Sequence, residues 1–111
     1  MKKLCVVWST SEKDVAMRMI FVYLMDAKSM GWWEEIVLVI WGPSAKLLAH
    51  DKDVQAELDF VQQSGILVEA CRGCTEAYKV TSAIKALGIA VKYMGEALTQ
   101  YLQGEYRVIT F

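Results

Sequence analysis

One proline, one histidine and three cysteines are all that the 111 residues contain of these types. Each scarcity removes a class of protein. An odd cysteine count, with two of the three close together as Cys71 and Cys74, is not the framework of a small secreted disulfide scaffold. A closed zinc site needs four ligands, and neither a second C-x-x-C nor a histidine pair accompanies these two thiols. Such a site would need subunits to share ligands across a symmetry axis. Charge of one sign is lacking too: 12 basic residues face 13 acidic ones, for a net charge of -1. Lys2 and Lys3 are adjacent but extend into no basic run, so the footprint of a nucleic-acid binder is missing. The longest apolar stretch, Met19 to Met25, falls far short of the roughly 20 residues a membrane span needs. The run from Met1 to Trp8 passes straight into Ser9 and Thr10 without the cleavage region of a secretory signal. The expected compartment is the reducing cytosol, with neither nucleic acid nor membrane as partner.

Apolar side chains are what the chain has in plenty. They make up 55% of it, above the usual range of about 45–50%. A domain of this size cannot easily hide that much, and self-association is the natural relief.

Their arrangement alternates between two periods. Leu4-Cys5-Val6-Val7-Trp8 reads as a strand buried on both faces. Ser11 with Asp14 forms a variant capping box, so a helix is expected from there to Met30, with Gly31 as its stop. That helix is apolar around nearly its whole circumference and must be covered on both sides. Ile36 to Trp41 is the strongest strand, ended by the turn Gly42-Pro43-Ser44. A second helix is expected from Asp51 to Gln63, a third strand at Ile66–Ala70, and a third helix from Thr75 with the stripe Ala77, Val80, Ile84 and Leu87. Ala90–Tyr93, a short helix with Leu98, Tyr101 and Leu102, and Tyr106–Thr110 complete the series. Strands alternating with helices predict a three-layer α/β/α protein around a mostly parallel five-stranded sheet, one domain over residues 1–111.

Open parallel sheets bind ligands beyond the carboxyl ends of their strands. Here that edge holds Ser9 and Thr10, then Gly42 and Ser44, then Cys71-Arg72-Gly73-Cys74, then Gly95. These are the candidate substrate-binding positions, with Cys71 and secondarily Cys74 as the candidate catalytic ones. Cys71 stands between a strand and a helix, and a helix N-terminus favours a thiolate. Gly73 lets backbone approach a ligand. Cys5, mid-strand, reads as an inert core residue. His50 is read as a surface or capping residue, since a Cys–His pair would need it beside Cys71. Trp8, Trp32, Trp33 and Trp41 are read as core or subunit contacts rather than a ligand pocket.

The strand and Cys71-Arg72-Gly73-Cys74, the helix leading to Val80, Val91-Lys92-Tyr93-Met94-Gly95-Glu96, and Trp41-Gly42-Pro43-Ser44-Ala45-Lys46-Leu47-Leu48 together resemble the DsrE/DsrF-like proteins over essentially the whole chain. The resemblance implies a cytoplasmic homotrimer or hexamer. It implies sulfur relay in some members, by a cysteine at the start of this helix that takes sulfur as a persulfide and passes it to a partner protein. Counting back from Val80 puts that cysteine at Cys71; Cys74 matches a position that is Cys in some members and small in others. Many members carry Arg-Gly before the residue matching Val80, where this chain has Tyr78-Lys79. No cofactor or metal is implied. The functional expectation is a sulfur carrier loaded on Cys71 from a donor, with Cys74 stabilising the persulfide or releasing its sulfur through a disulfide. The alternative is a non-catalytic oligomeric module that binds a small ligand or a protein.

Overall fold

The computed structural model describes residues 2–111; Met1, the first residue of the terminal run, lies outside them. Five strands, β1 (Lys3–Trp8), β2 (Glu35–Ile40), β3 (Leu67–Cys71), β4 (Ala90–Lys92) and β5 (Tyr106–Thr110), form one sheet in the order β4-β3-β2-β1-β5. All four pairings are parallel. The expected mostly parallel sheet is therefore parallel throughout. Among the described residues no helix is long and apolar enough to cross a membrane.

The pleat divides each strand between two cores. Leu4, Val6, Trp8, Ile36, Leu38, Ile40, Val68 and Ala70 point to the larger one. Cys5, Val7, Val37, Val39 and Cys71 point to the smaller, with Met94. The two outer layers are unequal. The larger core is roofed by a helix over residues 13–30 (α1) and by α2 (Ser44–His50), α3 (Lys52–Gln63) and the Val80–Ile84 region. The smaller is roofed chiefly by α6 (Gly95–Gln103), through Ala97, Leu98 and Tyr101, with Cys74 at its edge.

Helix α1 is α-helical at Lys13–Val15, π-helical at Ala16–Ile20 and α-helical again at Phe21–Met30. The expected Ser11–Asp14 capping box does not form. Glu12 is the N-cap and makes no side-chain cap, while the Thr10 hydroxyl accepts from the Glu12 amide at 3.0 Å. Ile20, Phe21, Leu24 and Ala27 are buried, whereas Met19, Val22, Tyr23 and nearby Trp32 remain exposed. Helix α3 starts as expected: the Asp51 carboxylate accepts from the Val54 amide at 3.0 Å.

Two features depart from the sequence pattern. Residues 44–50, expected only as the sequel to a turn, are helical; Pro43 precedes them with φ −61°, a value its ring imposes and a first helical turn needs. The third helix is two short ones, α4 (Arg72–Ala77) and α5 (Thr81–Ala86). Between them the Lys79 amide donates to Glu76 O at 3.0 Å and the Val80 amide to Thr75 O at 2.8 Å. That pair of bonds is a Schellman ending, and it puts Lys79 in the left-handed region at φ 60°. Gly31 ends α1 with the same bond pattern at φ 67°. Glycine is the residue this conformation favours. The break also turns the expected stripe: Thr75 is buried in place of Ala77, which is exposed.

Candidate active site at the carboxyl edge of the sheet

Cys71 is the last residue of β3 and the N-cap of α4. Its side chain belongs to the smaller core and is nearly closed off, with 9% exposure. Cys74 lies one helical turn on and packs against the same cluster. All three cysteines are free thiols. A β-carbon built on Gly73 would stand 3.9 Å from Cys71 Sγ, in ordinary van der Waals contact with the sulfur.

The turn after β2 reaches into this pair. Gly42, at φ 66°, donates its amide to Cys74 Sγ at 3.1 Å. Burial pushes the Cys74 thiol up, and its neighbour Cys71 adds to this; the Gly42 amide pulls the other way. Cys74 is thus held as a thiol with a proton to give, facing a partner thiol. Cys5 is fully enclosed, and burial pushes it up to about 12. It stays neutral, as expected for an inert core residue.

The other predicted positions fall into two groups. Arg72 is tied to Glu76 at 2.9 Å and lies over the Tyr93 ring at 5.9 Å, beside Cys71 in the chain. Gly42 and Gly73 touch the two thiols as described. Ser9, Thr10 and Ser44 instead stitch the edge together. The Ser9 hydroxyl donates to Phe111 O at 2.8 Å, and the Thr10 hydroxyl accepts from the Glu12 amide. Ser44 is fully buried, its hydroxyl shared between Trp8 O and Trp41 O. Gly95 opens α6 with nothing near the place of its missing β-carbon.

His50 lies at the end of α2, with Nδ1 2.8 Å from Lys46 O. It lines a separate cleft of about 480 Å³ with Ser11, Pro43, Lys46, Leu47, Asp51 and Tyr78, and neither Cys71 nor Cys74 lines that cleft. Among the described residues no three His, Cys, Asp or Glu side chains converge as metal ligands. Of the tryptophans, Trp8 is fully buried against Phe21 at 5.3 Å and Trp32 is exposed.

One group at this site escaped the sequence analysis. Glu69 lies two residues before Cys71, on the same face of β3, and is 4% exposed. It accepts from the Tyr101 hydroxyl and pairs with Lys92 Nζ. Lys92 is the cross-strand partner of Cys71. Burial and the Glu69 carboxylate hold the Tyr101 phenol above its ordinary range, so it remains a donor. The trace of this group in the sequence is a lone charge inside Ile66-Leu67-Val68-Glu69-Ala70.

The sequence matches the DsrE/DsrF-like family over residues 2–111. The chain belongs to this family. Its fold superimposes on that of a conserved protein of unknown function, BT1422 from Bacteroides thetaiotaomicron, with a TM-score of 0.95 and 42% identity, covering 99% of this chain and 95% of the other. The ychN protein from E. coli matches with a TM-score of 0.72 and 13% identity, both chains covered in full. So does MTH1491, a protein of unknown function from Methanobacterium thermoautotrophicum, at 0.78 and 13%. At 13% identity these last two share the fold. No curated protein matches the chain. Family membership suggests sulfur relay at the level of the family.

Proposed function

We propose that this protein is a sulfur carrier that holds sulfane sulfur as a persulfide on Cys71. The observation that carries this reading is the free Cys71–Cys74 pair at the carboxyl end of β3, with the Gly42 amide on Cys74. The Cys71 thiolate attacks the outer sulfur of a donor persulfide. A new S–S bond forms, the donor's S–S bond breaks, and the donor leaves as a thiolate. Two exits follow. An acceptor thiolate attacks the outer sulfur and regenerates the Cys71 thiolate. Otherwise Cys74 attacks Cys71 Sγ, forms a disulfide and expels hydrosulfide; an external dithiol then resets the pair. The elevated Cys74 favours the first exit, because its retained proton makes it a poor attacker.

Assembly into trimers or hexamers belongs to this reading, since it would cover Met19, Val22, Tyr23 and Trp32. The test of function is intact-mass measurement after incubation with a persulfide donor. Wild type is expected to gain one sulfur and Cys71→Ala none; equal gain in both, or none in either, refutes the proposal. The cleft beside His50 supports a second reading, a module that binds a small ligand. That reading predicts a ligand whose affinity is unchanged in Cys71→Ala.

A further inference from the structure

A carboxylate buried to 4% exposure on an otherwise apolar sheet face needs an explanation, because an ion pair there is a weak source of stability. Glu69 and its partner Lys92 stand beside the one thiol at which an anion is expected to form. The register sets Lys92 opposite Cys71 on the adjacent strand, whereas Glu69 is opposite Ala90, two residues earlier. To reach Glu69 the Lys92 side chain must run back along the sheet from the level of Cys71. Its ammonium group is therefore tethered on the Cys71 face of the sheet, at the level of Glu69, one pleat from Cys71.

The charged and titratable groups on this face and on the elements packed over it can be sorted. Cys5 and Cys74 are neutral thiols, and Tyr101 is a neutral phenol that donates to Glu69. Arg72 is paired with Glu76 and laid over Tyr93. Glu96, in the first turn of α6, is exposed. At the amino end of the same face Lys3 pairs with Glu105 and Glu35 accepts from the Tyr106 hydroxyl; at the carboxyl end this leaves Lys92 and Glu69 as the charged pair on the Cys71 side.

We infer that Lys92 is a charge-stabilising residue for the anion on Cys71, thiolate or persulfide, and that Glu69, fixed by Tyr101, parks its ammonium group until that anion forms. The inference rests on Cys71 being the reacting thiol. At rest the carboxylate takes the ammonium. When negative charge appears on Cys71, the ammonium is shared between two anions one pleat apart, and it moves along the sheet without leaving the site. Half of the Lys92 side chain is exposed, so it has room to swing.

The test is alkylation of Cys71 by iodoacetamide at pH 7, followed by peptide mass, because it needs no sulfur donor. The two charges act with opposite signs. Lys92→Met is expected to slow alkylation about fivefold and Glu69→Gln to speed it about threefold, between the values for water and for a protein surface at about one pleat's distance, and nearer to water. Lys92→Arg should stay within about twofold of wild type, since it keeps the charge. A merely structural ion pair would give the same sign in both variants, by exposing Cys71. Equal signs, or no change in either, overturn the inference. Glu69→Gln keeps an acceptor for Tyr101. If Lys92→Met alone folds poorly, the pair Glu69→Gln and Glu69→Gln/Lys92→Met gives the same comparison without a stranded carboxylate, and the double variant must be the slower. Sulfur loading of wild type is a separate measurement: a chain that gains no sulfur refutes the relay reading and has no bearing on these signs.

Discussion

Replacing Lys79 with glycine should make this protein more stable, although it removes a side chain and adds no contact. Lys79 is the one non-glycine residue at positive φ among the described residues, at 60°. Its side chain is exposed and forms no ion pair there. The substitution therefore takes little from the folded state beyond the β-carbon. Holding an L-residue in the left-handed region costs about 1–2 kcal/mol. Glycine gives part of this back, because its freer unfolded chain loses about 0.4–1 kcal/mol more on folding. The net gain is about 0.5–1 kcal/mol, or about 2–4 °C in Tm for a chain of this size. Urea unfolding followed by tryptophan fluorescence, in reductant and at one fixed protein concentration, reads the difference. Lys79→Ala is the control: it keeps the β-carbon, so it keeps the strain and should match wild type. If Lys79→Gly is no more stable than Lys79→Ala, the Schellman ending is not under strain and the reasoning fails.

The remaining expectations concern the thiols and the stitched edge. Folding stability should fall with rising pH above about 9, by up to about 1.4 kcal/mol per pH unit from Cys5 alone. The native state keeps this thiol protonated up to about 12 while the unfolded chain releases the proton, so the unfolded state binds fewer protons over that window. Urea titrations between pH 8 and 11 should show Cys5→Ala shallower by that slope. Gly73→Leu should slow alkylation of Cys71 by crowding its sulfur, while Gly73→Ala, at 3.9 Å, leaves it nearly unchanged; equal rates in all three would sink the idea. Ser44→Ala should cost about 1–2 kcal/mol in urea unfolding by removing a buried donor from the junction of β1 and β2.

What could be read in the sequence follows the range of the interaction that fixes each feature. β1, β2 and β3 are continuous apolar runs whose pattern is local, and Gly31 announces its own left-handed turn. Cys71 and Cys74 are three residues apart at a strand end, so a regular turn brings them together. Helix α2 was hidden because only Ser44, Ala45 and Leu48 of its seven residues are buried, too few to display a period. The break at Lys79 was hidden because a lysine carries no local sign of a left-handed backbone. Two links in the site span 32 residues each, Gly42 to Cys74 and Glu69 to Tyr101. Neither follows from spacing; both need the sheet order and the placement of α6.

The clasp at the end of β5 bears on how the protein is handled. Phe111 O accepts from the amides of Ser9 and Thr10 and from the Ser9 hydroxyl, and the Phe111 amide donates to Val7 O. Because the sheet is parallel throughout, this clasp sits on the same rim as Cys71. An affinity tag or fluorescent fusion joined after Phe111 would issue from the rim that holds Cys71. One joined ahead of β1 would leave from the opposite rim, and assays of sulfur transfer are best built on that arrangement.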